Sequence, residues 1–303
     1  MTGDRTKSIF LLTRQELALI GITFLWGTTF LVVQLAMRSC GPLFFVGFRF
    51  ILAGLFASAI FWRSLKNLTI HEFFAGIVIG LPICLGYGLQ TAGLKTIASS
   101  QSAFITAVYV PLVPLLQWAI LRKKPGLTSF IGIVFAFIGL LLVSGQGFQG
   151  LAFSKGEFFT LLSAFAIASE IVLISLFAGR VDSRRVTVVQ LFIAGIFSFA
   201  AMPFNGETVP SFSWGWVLAG SGLAAMSALI QLTMNWAQKS VSPTRATIIY
   251  TGEPIWAGLM GRIAGERLPQ SALFGALLII IGILVSELKP KKPENAAAID
   301  KAG

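Results

Sequence analysis

AFITAVYVPLVPLLQWAILRKKPGLTSFIGIVFAFIGLLL (residues 103–142) and ATIIYTGEPIWAGLMGRIAGERLPQSALFGALLIIIGILV (residues 246–285) are the same pattern written twice. At a constant shift of 143, Ala103 falls on Ala246, Ile105 on Ile248, Pro111 on Pro254, Leu116 on Leu259, Gly132 on Gly275, Ile138 on Ile281, Gly139 on Gly282 and Leu141 on Leu284. Earlier in the chain the shift is 141, which puts Glu16 on Glu157, Phe24 on Phe165, Ala53 on Ala194 and Gly54 on Gly195. Apolar helices match one another easily by chance, but Gly and Pro coinciding at one shift do not. The chain therefore reads as a duplication.

Outward from the repeat, the composition sets the medium. Of 303 residues, 55% are hydrophobic and only 12% charged, about half the roughly 25% of a soluble domain. Mean hydropathy is +0.83. A span needs about 20 apolar residues to cross the hydrocarbon core, and the chain is almost wholly such stretches with short loops between. Ten segments emerge, at about 15–37, 42–62, 72–94, 98–121, 127–145, 156–178, 186–204, 214–238, 243–264 and 269–288. Residues 1–14 read as a cytoplasmic N-terminus rather than a signal peptide. Residues 15–145 form the first repeat, 156–288 the second, and 289–303 a cytoplasmic, disordered tail.

The net charge is +11. In this setting it reads as topology and contact with anionic headgroups rather than nucleic-acid binding. Of the 23 Lys and Arg, Arg49 lies within a span and five (Arg38, Lys95, Lys155, Arg262, Arg267) fall on one face; the remaining seventeen share the face of the N-terminus. Basic loops favour the cytoplasm, so ten spans with both termini inside follow. Five spans per half is an odd number, so the halves lie in opposite orientations. The expected fold is an all-α membrane protein with ten transmembrane helices, as two inverted five-helix repeats around a central cavity. Such halves suit alternating access.

Ionisable groups within spans are costly and mark cavities or partners. Arg49 (second span), Glu170 (sixth) and Glu253 (ninth) are the candidates for substrate binding or coupling. Pro254 after Glu253, and Pro111 at the matching place in the fourth span, are expected to break their helices near mid-membrane. Weaker polar stripes support a lined cavity: Ser227, Gln231, Asn235 and Gln238; Ser102, Thr106 and Tyr109; Tyr87, Gln90 and Thr91. Interhelical hydrogen bonding would explain them as well. Trp26 reads as core or as a gate. The Gly132/Gly139 and Gly275/Gly282 faces read as intramolecular packing.

His71 is the only histidine, and Asp occurs only at 4, 182 and 300. No metal site or cofactor is expected. There is no HExxH, no Ser-His pair and no GxxxxGK loop, so neither an intramembrane enzyme nor direct use of ATP is expected. Cys40 and Cys84 are not expected to pair.

Four motifs resemble one family. Trp26-Gly27-Thr28-Thr29-Phe30, the run from Pro42 to Phe48-Arg49-Phe50, Glu253-Pro254, and Gly265-Glu266-Arg267-Leu268 followed by Gly275 and Gly282 resemble the signatures of the drug/metabolite transporter superfamily, EamA family. The resemblance covers about residues 15–288. It implies a cavity formed mainly by spans one to four and six to nine. It also implies export of amino acids, related metabolites or amphipathic compounds, with exchange for protons in several relatives. Glu170 and Glu253 are then the residues able to carry a proton, while Arg49 either holds a substrate carboxylate or braces Glu253. The expected partners are a small-molecule substrate, protons and the lipid bilayer, with the chain a monomer or homodimer in a plasma membrane, here the bacterial inner membrane. A flippase for lipid-linked substrates and an uncoupled facilitator are the competing readings. One departure stands out: where the family carries a Glu after the fourth span, as Glu266 follows the ninth, this chain has Lys123.

Overall fold

The structure is a computed structural model that describes residues 12–122, 127–143 and 153–286. Among them every regular element is helical. In chain order these are α1 (Arg14–Ala36), α2 (Pro42–Leu65), α3 (Ile70–Gly93), α4 (Ser99–Thr106), α5 (Tyr109–Leu121), α6 (Leu127–Val143), α7 (Lys155–Phe177), α8 (Ser183–Ala201), α9 (Trp214–Ala237), α10 (Pro243–Tyr250), α11 (Gly252–Ile263) and α12 (Gln270–Ser286), with a short 3-10 turn, Pro203–Asn205, after α8. Among the described residues seven stretches are long and apolar enough to cross a bilayer: α1, α2, α3, Ser99–Ile120, α7, α8 and α9. Two shorter apolar helices, Phe130–Val143 and Gln270–Gly282, accompany them.

The helices begin where their sequences supply caps. α1, α3 and α7 each start with a capping box, Thr13/Glu16, Thr69/Glu72 and Ser154/Glu157, which satisfies amides that lie beyond the reach of the helix ladder. Two helices are interrupted. The fourth apolar segment breaks at Ala107–Val108 and the ninth at Thr251. Both breaks lie one turn before the prolines expected to cause them. A proline ring clashes with the carbonyl four residues earlier, so Pro111 and Pro254 sit inside the first turn of α5 and α11 while the ladder fails upstream.

Contacts between the halves come in exchangeable pairs. α1 packs on α10 and α11, as α7 packs on α4 and α5. α1 meets α9 as α7 meets α3, and α2 meets α9 as α8 meets α3. α2–α8 and α6–α12 are their own counterparts. Both of these last seams run antiparallel and are fitted by glycine. A Cβ on Gly139 would stand 2.5 Å from the Gly275 carbonyl oxygen, and one on Gly275 would stand 2.5 Å from that of Gly139. At the other end of the same seam a Cβ on Gly282 would stand 2.6 Å from the Gly132 carbonyl. On α2–α8, Gly54 faces Phe192 and Gly195 faces Ile51, and a shift of 141 exchanges these two contacts.

Gly139→Leu should lower stability by about 1–3 kcal/mol, the usual effect of forcing atoms into a filled seam. Thermal unfolding of detergent-purified protein reads this directly. Gly21→Ala, with nothing within 4 Å of the added carbon, should leave the unfolding temperature unchanged or raise it.

Candidate functional site

The three intramembrane charges meet at one polar layer between the halves, and all are buried: Arg49 2%, Glu170 0% and Glu253 1% exposed. α2 delivers Arg49. Its Nε donates to Ser227 Oγ of α9 at 2.6 Å, and its guanidinium lies 5.1 Å from the Tyr87 ring and 5.4 Å from the Phe50 ring. Attraction to ring faces partly replaces lost hydration. Glu170, on α7, accepts from Gln231 Nε2 at 2.8 Å. Gln231 accepts in turn from Gln190 at 2.6 Å, and Gln190 from Asn235 at 3.1 Å. Asn235 also donates to Thr187. Four buried side chains on α8 and α9 thus form a network that ends on Glu170.

Glu253 belongs to a second, aromatic group. Its Oε2 accepts from Tyr109 Oη at 3.0 Å. Trp26 lies near-parallel to Tyr109 at 6.4 Å and edge-on to Tyr250 at 5.8 Å. Gly27 makes this arrangement possible: a Cβ there would stand 2.7 Å from the Glu253 carbonyl oxygen and 2.7 Å from Trp256 Cβ. The Trp-Gly pair therefore sets α1 directly against the backbone at the start of α11.

Among the described residues eight buried polar atoms have no hydrogen-bond partner: Trp26 Nε1, Arg49 Nη2, Ser102 Oγ, Glu170 Oε2, Gln238 Nε2 and Oε1, Tyr250 Oη and Glu253 Oε1. A buried unsatisfied group costs about 1–3 kcal/mol, so each asks for an explanation.

The outcome for the individual residues is mixed. Arg49, Tyr87, Gln231, Asn235 and Glu170 come together, as do Trp26, Tyr109 and Glu253. Gln90 is engaged with Thr106 on α4 at 3.2 Å. Arg49 does not brace Glu253: among the described residues the ion pairs use Arg184, Arg185 and Arg245. The three charges are enclosed by packed side chains. Three surface clefts, of about 620, 400 and 700 Å³, contain none of the three charges. Among the described residues no group of three or more His, Cys, Asp or Glu is placed to hold a metal.

Gln190, Thr187 and Tyr250 are members of the layer that the polar stripes do not include. Thr187 and Gln190 are one helical turn apart in an otherwise apolar segment, which is a readable signal.

Carboxylates from one half also hold helix ends of the other. Glu72 accepts from the Asp182 amide at 3.0 Å and from Arg185 Nη1 at 3.1 Å. Glu207 accepts from the amides of Leu43 and Phe44, at 3.0 and 3.2 Å, at the start of α2. Glu16 pairs with Arg245 of α10, while its repeat mate Glu157 accepts from Gln101 of α4 at 2.8 Å. Glu266 takes four bonds at the start of α4, from the amides of Ser99 and Ser100 at 2.9 and 3.0 Å and from their hydroxyls at 2.7 and 2.5 Å. Gly265, at φ +91°, supplies the left-handed turn that aims it. Burial works against the charged form of Glu266, yet the bonds from Ser100 and Ser99 hold its carboxyl below the usual value.

Lys123 lies outside the described residues. The helix start that a Glu at 123 would serve is that of α10, where a shift of 143 places Ser242 and Pro243 on Ser99 and Ser100. Pro243 has no amide hydrogen, and Ser242 Oγ already accepts from the Arg245 amide. The start of α10 therefore offers fewer donors than that of α4: the amide and hydroxyl of Ser242, against two amides and two hydroxyls at Ser99 and Ser100.

Comparison with known proteins accounts for this frame. The model of the EamA-like transporter family matches residues 13–145 and again 154–288. The chain belongs to the EamA-like transporter family. Among its relatives, a protein of Archaeoglobus fulgidus described as an uncharacterized transporter is 29% identical over 278 residues, 90% of this chain and 86% of that one. YedA of Escherichia coli K12, described as an uncharacterized inner membrane transporter, is 26% identical over 316 residues, 95% of this chain and 98% of its own. A solved crystal structure shares the fold with a TM-score of 0.67 at 16% identity, covering 92% of this chain and 99% of that one.

Glu266→Gln should cost about 1–2 kcal/mol, as loss of a helix cap does. Because the folded carboxyl titrates below its unfolded value of about 4.3, its contribution is present above that pH and is lost as pH falls through the folded value. Thermal unfolding across pH 3–7 should show a smaller acid loss in the variant than in the wild type.

Proposed function

We propose that this multi-pass membrane transporter of the EamA family is a secondary-active exporter of small metabolites, working by alternating access and coupled to protons. One observation carries the reading: among the described residues, Arg49, Glu170 and Glu253 each leave a polar atom unpartnered, deep in apolar helices, where the two halves meet. Groups held without partners are poised for a ligand that arrives and leaves. Proton exchange falls to the two carboxyls, which have one free oxygen each.

The reading includes ten spans. The seven long stretches are joined by α6, by α12 and by the broken pair α10–α11, in two halves of opposite orientation. The antiparallel α2–α8 and α6–α12 seams support it, because equivalent helices of inverted halves must run against each other. The closed polar layer is then the occluded arrangement, and a central cavity opens from it to either side. Residues 15–145 and 156–288 are the two halves, with both ends of the chain in the cytoplasm of a bacterial inner membrane.

Purified protein in proteoliposomes should carry radiolabelled amino acids, nucleobases or a cationic dye faster with a pH gradient than without one. Glu170→Gln and Glu253→Gln should bring the two rates within about twofold of each other, since an amide releases no proton, while expression stays near wild type. Absence of flux in both conditions would refute transport. Unchanged pH dependence in both variants would remove protons from the mechanism.

A further inference from the structure

A groove of about 400 Å³ runs between α2 and α9 on the lipid-facing side, lined by Phe56, Ile60, Phe61, Ala225, Leu229 and Leu232 with small residues between them. α2 leaves helical geometry inside it, at Phe61 (φ −106°, ψ 18°). The two helices run parallel: Phe48 packs at Gly220, Arg49 bonds to Ser227, and residues 56–61 face 225–232. One end of the groove therefore leads to Trp62 and Arg63 at the end of α2 and Lys66 just past it, and to Trp236 at the end of α9 and Lys239 just past it.

That end is basic and aromatic. Trp62 and Trp236 are exposed. The Arg63 guanidinium lies 5.3 Å and the Lys66 ammonium 5.0 Å from the Trp62 ring. Among the described residues neither cation pairs with a carboxylate. An apolar channel for chains, topped by interfacial tryptophans and two uncompensated cations, has the layout of an amphiphile with a negative head.

We propose that the α2–α9 groove is a seat for one anionic glycerophospholipid. An acyl chain lies along Phe56–Phe61 and Ala225–Leu232, and the phosphate lies at Arg63 and Lys66. The occupant is a bilayer lipid rather than a free phosphate or a transported solute, because the groove faces the hydrocarbon and the transport layer is buried behind Arg49 and Ser227. The seat does not rest on the transport reading and is tested without it.

Native mass spectrometry of the detergent-purified full chain, titrated with phosphatidylglycerol or phosphatidylcholine of equal chain length, should retain one phosphatidylglycerol in preference. A basic side chain near the membrane surface contributes about fivefold in affinity, so Arg63→Gln with Lys66→Gln should weaken that retention about thirtyfold. Phosphatidylcholine binding should be almost unaffected. Ala225→Phe, which fills the groove from its exposed edge, should reduce retention of both lipids. Thermal unfolding of the wild type with each lipid is the parallel measurement: phosphatidylglycerol should raise the midpoint more. Equal retention and equal midpoint shifts for the two lipids would overturn the proposal, as would an unchanged preference in the doubly substituted protein. Inorganic phosphate should not compete; displacement by phosphate alone would show an ion site instead.

Discussion

A polar atom taken out of water without a partner destabilises the fold that buries it, and this molecule buries several of them side by side. In hydrocarbon the penalty cannot be relieved by solvent, so backbone and side chains must find partners within the protein. Nearly everything else serves that condition. The breaks at Ala107–Val108 and Thr251 occur where other helices cover them. Gly27 lets α1 lie against the Glu253 carbonyl, which keeps the start of α11 enclosed. The amides of Gln190, Gln231 and Asn235 satisfy one another and one oxygen of Glu170. Among the described residues, Arg49 Nη2, Glu170 Oε2 and Glu253 Oε1 stay unsatisfied.

The two halves are fastened to each other by chemistry that is related but not identical. On each face a carboxylate from one half receives the start of a helix from the other: Glu72 with α8, Glu207 with α2, Glu266 with α4. The repeat-related pair Glu16 and Glu157 diverges in kind, one meeting Arg245 and the other the neutral amide of Gln101. Salt screens an ion pair near a surface, so the Glu16–Arg245 contact weakens with ionic strength more than the bond from the Gln101 amide to Glu157. The repeat keeps the position of the acid and not the chemistry of its partner.

Much of this is legible in the amino-acid sequence because apolar length and Gly/Pro coincidence survive without knowledge of packing. The edges of the apolar segments fall within a few residues of the described helices, and the Trp-Gly and Gly-Glu signatures turn out to be a close backbone approach and a left-handed turn that aims a carboxylate. The breaks are displaced by one turn because a proline acts on the carbonyl four residues upstream, not on itself. Partners are harder to read. Arg49 chooses Ser227 and two ring faces over Glu253, and Tyr250 joins Trp26, through contacts between residues far apart in the chain. No local periodicity encodes those. The capping boxes at Thr13–Glu16, Thr69–Glu72 and Ser154–Glu157 are local and readable, but their second role between halves is not.

Pro243 makes two related helix starts unequal as clamps. At Ser99 and Ser100, α4 offers a carboxylate of the other half two amides and two hydroxyls. In the matching places α10 has Ser242 and Pro243, which together carry one amide and one hydroxyl. The pseudo-twofold relation of the halves thus holds in the order of helices and fails in bonding: a latch of the kind found at Glu266 fits one helix start and not its twin.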